Sequence, residues 1–370
     1  MIDKETFINQ ILKLRATPIR RISPGVRFPC RELSDPDQLC PKPLVSVVMT
    51  VYNHAKYLPQ AILGVVTQKC DFEFELLIGE DCSTDESRKI CFEFQKQYPQ
   101  IIRVFYSDIN VGGKINSRRM KQRMRGNYVA SCEGDDFWVD PCKLQKQVTL
   151  FRDNPRYAIV YTDFVTLDPQ QKFSQPVLKS SGFFDHIDTF TKRNYITEDF
   201  PNTQFSFFAT ASIMITRRVS EAARLDDLML QGLMLGDYQL RSLAASMGEV
   251  GFVRDCCACY RQGVGILSKV YTQGDITLSC DCFYAGTVRS WDLRNIEEQK
   301  HYMGRFIKNV TGYYNAPFRA KVRILKFYLF MFKHGVFNRL GSAGVKLLFN
   351  FHVFPQWVLK MRRSFVGRYK

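Results

Sequence analysis

Asp135 and Asp136 stand side by side after an apolar run, with Gly134 just ahead of them. Two carboxylates so placed can face one divalent cation. Hard oxygen ligands with few other protein donors suit Mg²⁺ or Mn²⁺ held jointly with a diphosphate. The same pair also suits an acidic turn capping the next helix. Asp81 closes another apolar run and is followed by Thr84 and Asp85, so by itself it reads equally as a helix-capping acid. Thr50 and Tyr52 end a third run. Gly112-Gly113 marks a place where the backbone turns sharply or approaches a ligand closely. Lys114 and Arg118 follow it, placed for phosphate groups or for a solvated helix face. The five histidines are scattered and form no triad or metal box, and His54 reads as a loop residue. Among the twelve cysteines, Cys256, Cys257, Cys259, Cys280 and Cys282 cluster without the paired C-x-x-C spacing of common zinc sites. With no charged-then-apolar leader, the thiols read as reduced.

The elements that must position these residues follow from periodicity. Leu44–Tyr52 is a β-branched apolar run of the kind buried on both faces of a parallel sheet. A helix is expected from Leu58, with Pro59 in its first turn. Phe74–Ile78 is a second strand, and Ser83-Thr84-Asp85-Glu86 has capping-box spacing for a helix over Asp85–Tyr98. Ile101–Tyr106 is a third strand, followed by a helix through Arg125, a strand over Asn127–Cys132 and a helix over Pro141–Arg152. This alternation predicts an open α/β sheet with right-handed crossovers, whose ligands bind outside the carboxyl ends of the strands. Thr50, Tyr52, Asp81, Asp135 and Asp136, with Gly112-Gly113, fall on that edge. Further on, Tyr157–Phe164 and Ala209–Thr216 read as strands, Gly236–Met247 as a helix and Gly248–Tyr260 as one or two closing strands. Leu167–Thr203 is irregular and reads as a loop or acceptor-side insertion.

Four strings in this order resemble family 2 glycosyltransferases of the GT-A fold. They are Val45-Ser46-Val47-Val48-Met49-Thr50-Val51-Tyr52-Asn53, Ile78-Gly79-Glu80-Asp81-Cys82-Ser83-Thr84-Asp85, Asn110-Val111-Gly112-Gly113 and Glu133-Gly134-Asp135-Asp136-Phe137-Trp138. The resemblance implies an α/β fold with a GT-A-type, Rossmann-like open mixed sheet flanked by helices. It also implies a nucleotide-sugar donor, a UDP-sugar first among them. Thr50, Tyr52 and Asp81 would lie around base and ribose, Gly112 and Lys114 at the donor, Asp135 on ribose or metal, and Asp136 on the metal. In the second half, Gly236-Asp237-Tyr238 resembles the family's acid at a helix start, which makes Asp237 the candidate catalytic base. Many relatives follow the closing strand with Tyr-Arg, one residue and a His; here Tyr260-Arg261-Gln262-Gly263 lacks that His. The Gln-x-x-Arg-Trp element of processive synthases is also missing, which points to transfer of a single sugar. By this resemblance the chain is an inverting enzyme of bacterial surface-polysaccharide assembly.

The 370 residues are 45% apolar and 24% charged, which excludes a disordered or fibrous chain. Three parts are expected: an N-terminal helix (Lys4–Arg15) and Pro-rich linker over 1–43, a glycosyltransferase domain over 44–265 divided at 164/165 into nucleotide and acceptor halves, and a helical, strongly basic region over 266–370. From Met303 onward there are fourteen Lys or Arg and no Asp or Glu, leaving 38 basic against 36 acidic residues before it. Arg319, Arg323, Lys326 and Lys333 make a cationic helical stripe, and Val322, Leu325, Leu329, Phe332 and Val336 an apolar one. With Phe349, Phe351, Phe354, Trp357, Lys360, Arg362 and Arg363 they describe helices in an anionic membrane interface over 317–363. No apolar stretch reaches the ~20 residues that span a bilayer. The expected setting is cytoplasmic, peripheral on the inner face of the plasma membrane, with a lipid-linked or glycan acceptor and no nucleic-acid partner. Two other classes compete. A sugar nucleotidyltransferase would carry a Gly-rich basic loop after the first strand, which Val51–Leu58 is not. An inactive basic membrane- or nucleic-acid-binding protein would not need carboxylates at each of these positions.

Overall fold

The computed structural model describes residues 30–185, 209–225 and 247–265, together with Leu240 and Ala244. The N-terminal helix expected over Lys4–Arg15, Asp237 and the whole basic region over 266–370 lie outside the described residues.

The described strands form one mixed sheet in the order β1-β4-β3-β2-β5-β8-β7-β9-β6. They are β1 (Arg31–Leu33), β2 (Val45–Val51), β3 (Phe74–Glu80), β4 (Ile102–Tyr106), β5 (Tyr128–Ser131), β6 (Phe137–Trp138), β7 (Tyr157–Leu167), β8 (Ile213–Thr216) and β9 (Glu249–Arg261). Strands β2, β3, β4 and β5 are mutually parallel, β7 runs parallel to β9, and β1, β8 and β6 pair antiparallel with their neighbours. The carboxyl ends of β2, β3, β4, β5, β7 and β9 therefore share one edge. Helices α1 (Leu58–Val66), α2 (Ser87–Gln97), α3 (Gly113–Lys121), α4 (Lys143–Asp153), α5 (Val177–Ser180) and α6 (Arg217–Leu225) accompany the sheet. Right-handed crossovers put α1 and α2 on one face. Because β5 sits beyond β2 and not beyond β4, the next crossover reverses and α3 covers the other face. The reversal point between β2 and β5 is where an open α/β sheet leaves a crevice for ligand.

Strands β2 and β3 are apolar at nearly every position because helices cover both of their faces. Val45, Val47, Met49, Leu76, Leu77 and Ile78 are fully buried, each contributing about 1.5–3 kcal/mol. Two charged residues interrupt β3, Glu80 at its carboxyl end and Glu75 near its start. The Glu75 carboxylate accepts from Ser46 Oγ at 2.7 Å, Arg103 Nη1 at 3.0 Å, Arg125 Nε at 2.8 Å and Arg125 N at 2.7 Å. Burial is tolerated because every lone-pair direction is used. Two elements differ from the sequence expectation. The helix over Asp85–Tyr98 begins instead at Ser87: Ser83 Oγ accepts Asn53 N in the neighbouring loop, and Asp85 divides its carboxylate between Ala55 N of that loop and Ser87 N at the helix start. Within the Pro-rich segment, Arg31–Leu33 pairs with β4.

Helix α4 buries a stripe of Lys143, Leu144, Gln147, Val148 and Phe151. The Lys143 ammonium lies 4.2 Å from the centroid of Trp138 and donates to Gln147 Oε1 at 2.8 Å. Burial pulls its pKa down to about 8. A lowered lysine makes the fold carry a costly charge at low pH and releases that cost as pH rises from the folded to the unfolded pKa. Relative to Lys143→Met, the wild-type chain should therefore gain about 3 kcal/mol between pH 8 and 10.5 and gain nothing below pH 7. Urea titrations of both proteins across that range check this, and parallel stability curves would refute it.

Candidate active site

The edge at the reversal point carries the residues singled out from the sequence. Backbone bonds register it: Asp81 N donates to Val51 O at 3.0 Å and Gly134 N to Thr50 O at 3.0 Å, so the loops after β3 and β5 flank the end of β2. The loops after β2 and β3 are laced together. Asn53, at φ 56°, accepts Thr84 N on Oδ1 at 2.8 Å, while Ser83 Oγ accepts Asn53 N at 3.1 Å. Ser87 Oγ accepts His54 N at 2.9 Å, and Asp85 Oδ2 accepts Ala55 N at 3.0 Å. Below them Glu80 is fully buried, pairs with Arg88 Nε at 2.6 Å and accepts Ser83 N at 2.5 Å.

Asp81 is 2% exposed. Its carboxylate accepts Val111 N at 2.9 Å and Gly112 N at 2.7 Å, and its carbonyl accepts Asn110 Nδ2 at 2.9 Å. The acid therefore holds the Asn110–Gly112 loop from inside. Gly112 sits at φ +82°, a backbone conformation that disfavours any side chain, and a Cβ there would meet only open space. Thr50 is half-buried and Tyr52 is 42% exposed at the rim. Lys114 is the second residue of α3, and its side chain lies outside the described residues.

Asp135 and Asp136 are nearly buried, at 9% and 4% exposed. Asp136 Oδ1 accepts the backbone N of Arg261 at 2.9 Å. Burial first, then the adjacent Asp135 and Glu133, push its pKa well above the usual carboxylate range, against the Arg261 N–H and charge. Asp135 Oδ2 lies 3.9 Å from His54 Nε2. Gly134 is required by packing, since a Cβ would come 2.8 Å from His54 Nδ1 and 3.0 Å from Val51 Cγ2. Among the described residues, no group of three or more His, Cys, Asp or Glu side chains is placed to hold a metal ion. A cation at this turn would thus take two hard carboxylates from the chain and the rest from phosphate oxygens and water. That donor set fits Mn²⁺ or Mg²⁺. The thiols of β9 do not compete. Burial raises Cys256 to about 11 and Cys259 to about 12, and Cys257 Sγ is 3.4 Å from Asp140 Oδ2. Cys280 and Cys282 lie outside the described residues.

Thr50, Asp81, Gly112, Asp135 and Asp136 thus share one edge, whereas Asp237 is not placed. His54 and Arg261 join them. Neither was assigned from sequence, because both arrive through loop contacts that no periodicity encodes; the only signal was their position at strand ends.

Residues 46–221 match the family model for glycosyl transferase family 2. The chain therefore carries a family 2 glycosyltransferase domain, built on the mixed α/β sheet described above. An uncharacterized protein of Mycobacterium tuberculosis (strain H37Rv) is 29% identical over 236 residues, which is 62% of this chain and 62% of the relative's length. The putative teichuronic acid biosynthesis glycosyltransferase TuaG of Bacillus subtilis is 36% identical over 133 residues, covering 34% of this chain and 52% of TuaG. Among solved structures, Staphylococcus aureus TarS in complex with UDP-GlcNAc aligns at a TM-score of 0.48 and 15% identity, over 75% of this chain and 83% of that one. No helix among the described residues is long and apolar enough to cross a membrane.

Proposed function

We propose that the chain is an inverting glycosyltransferase that moves one sugar from a nucleoside-diphosphate-sugar, a UDP-sugar first among candidates, to an acceptor hydroxyl. The observation that carries this reading is the convergence of Asp81, Asp135 and Asp136 on the one sheet edge where the strand order reverses. Asp81 fixes the loop that borders the donor, and the half-exposed Tyr52 offers a face to the base. Asp135 and Asp136 would hold Mn²⁺ or Mg²⁺, which when bound supplies Lewis-acid neutralisation of the departing diphosphate. The acceptor hydroxyl must lose its proton as it attacks, and Asp237 is the proposed base. One displacement inverts the anomeric configuration.

Release of nucleoside diphosphate from UDP-, GDP- and dTDP-sugars with Mn²⁺ tests the reading, and no release from any donor would sink it. In Asp237→Asn, donor affinity should stay near normal while turnover drops ~10²-fold or more. Equal loss of donor binding would assign Asp237 a structural role.

The acceptor is proposed to be a lipid-linked glycan in surface-polysaccharide assembly, met at the inner face of the plasma membrane through residues 317–363. The acid-free basic sequence there supports this, each surface Lys or Arg near anionic lipid contributing ~1 kcal/mol. Truncation after Tyr302 should weaken sedimentation with anionic liposomes and transfer to a lipid-linked acceptor, while donor hydrolysis persists. Equal liposome binding by both forms, at low and high salt, would remove the membrane role.

A further inference from the structure

Arg261 closes β9 beside the carboxylates, and the reaction as proposed gives its guanidinium no task. The residue is 6% exposed. Its guanidinium carbon lies 4.6 Å from the centroid of Phe137 and 4.9 Å from that of Tyr57, and Nη2 donates to Gln60 Oε1. Its Nε has no acceptor among the described residues. Burying a guanidinium with one N–H unmatched is costly, and what surrounds it restricts its motion: two aromatic faces and a side-chain amide.

What the clamp immobilises is the end of β9. There the backbone N–H of Arg261 donates to Asp136 Oδ1 at 2.9 Å, and Phe137, one wall of the clamp, is the residue after Asp136. Phe137 also pairs with Cys259 across β6 and β9, so turn and strand end are fastened twice. A carboxylate with one oxygen held by a fixed N–H presents the other in a fixed direction.

We propose that the Arg261 guanidinium, clamped between Tyr57 and Phe137 and tied to Gln60, is a positioning group that sets the Asp136 carboxylate for a divalent cation; this rests on the metal assignment made above. The role is steric and not electrostatic. Loss of a positive charge beside a cation site by itself tightens cation binding, whereas loss of the clamp loosens it. The two accounts therefore predict opposite signs.

The test uses the full chain and Mn²⁺ as the probe, titrated by electron paramagnetic resonance with and without UDP, and follows amide hydrogen exchange at Arg261 in metal-free protein. Both Arg261→Met and Arg261→Lys should weaken Mn²⁺ binding about tenfold or more. Both should also speed exchange of the Arg261 amide, with the melting temperature little changed. Lysine keeps the charge but not the planar stack, so it should not rescue. Gln60→Leu leaves Arg261 in place, covers the case that Arg261 variants fold poorly, and should move both readouts the same way by a smaller factor. Tighter Mn²⁺ binding in Arg261→Met, or wild-type values of both readouts in Arg261→Lys, would overturn the clamp. A wild-type chain that binds no Mn²⁺ with or without UDP would instead overturn the metal assignment beneath it.

Discussion

Asp136→Asn should fold as well as the wild-type chain and transfer no measurable sugar. The amide oxygen can still accept the Arg261 N–H, so the turn keeps its shape, but the negative charge proposed to face the cation is gone. A metal neutralising a leaving diphosphate is worth several kcal/mol, and each 1.36 kcal/mol is tenfold, so a loss of about 10³-fold in turnover is the expected floor. Stability should move the other way. A carboxylate 4% exposed, with Asp135 and Glu133 beside it, opposes folding when no cation is bound, and the neutral amide removes that cost. The variant should therefore melt at a higher temperature in metal-free buffer, and added Mn²⁺ should raise its melting temperature less than that of the wild type. Normal turnover with Mn²⁺ would end the assignment of Asp136 to the metal.

The sheet and its active edge were legible because β2 and β3 are apolar at consecutive positions, a pattern only doubly covered strands tolerate. Elements that escaped the sequence reading are short or depend on distant partners. Arg31–Leu33 lies among prolines and becomes a strand only because β4 offers an edge, and Phe137–Trp138 only because β9 does. The Ser83-to-Glu86 spacing satisfied the capping rule, yet Ser83 Oγ accepts Asn53 N in the loop after β2, and Asp85 divides its carboxylate between Ala55 N in that loop and Ser87 N at the helix start, a tie to a distant loop that spacing does not show. The same limit applies within the site. Asp81, Asp135 and Asp136 stand out by type and spacing. Arg261 has an identity that sequence shows and a role that only its contacts with Tyr57, Gln60 and Asp136 define.

Asp81→Ala should cost more than its proposed place at the base or ribose alone would suggest. Its two carboxylate oxygens bind Val111 N and Gly112 N at 2.9 and 2.7 Å in a site 2% exposed. Hydrogen bonds to a charged group contribute about 1.5–3 kcal/mol each, so alanine forfeits about 4 kcal/mol of loop anchoring. The loss is local, because the core strands do not depend on that loop. Gly112, already at φ +82°, would keep the Asn110 Oδ1 contact at 3.1 Å and the Asn116 N–H on its carbonyl, and Asn110 Nδ2 would keep the backbone carbonyl of residue 81, but none of these replaces the two charged bonds. With the wall of the proposed donor crevice released, donor affinity should drop ~10³-fold, by the conversion of 1.4 kcal/mol per tenfold. Asp81→Asn separates the two roles. One amide oxygen can still accept one N–H, while the amide NH₂ opposes the other, so exchange of the 111–112 amides should rise at one position more than at its neighbour. Hydrogen exchange over 108–116 and titration with UDP decide the matter together. Slow exchange at Val111 and Gly112 in Asp81→Ala, alongside lost UDP binding, would mean that Asp81 acts on the nucleotide directly and that the loop is held by other means.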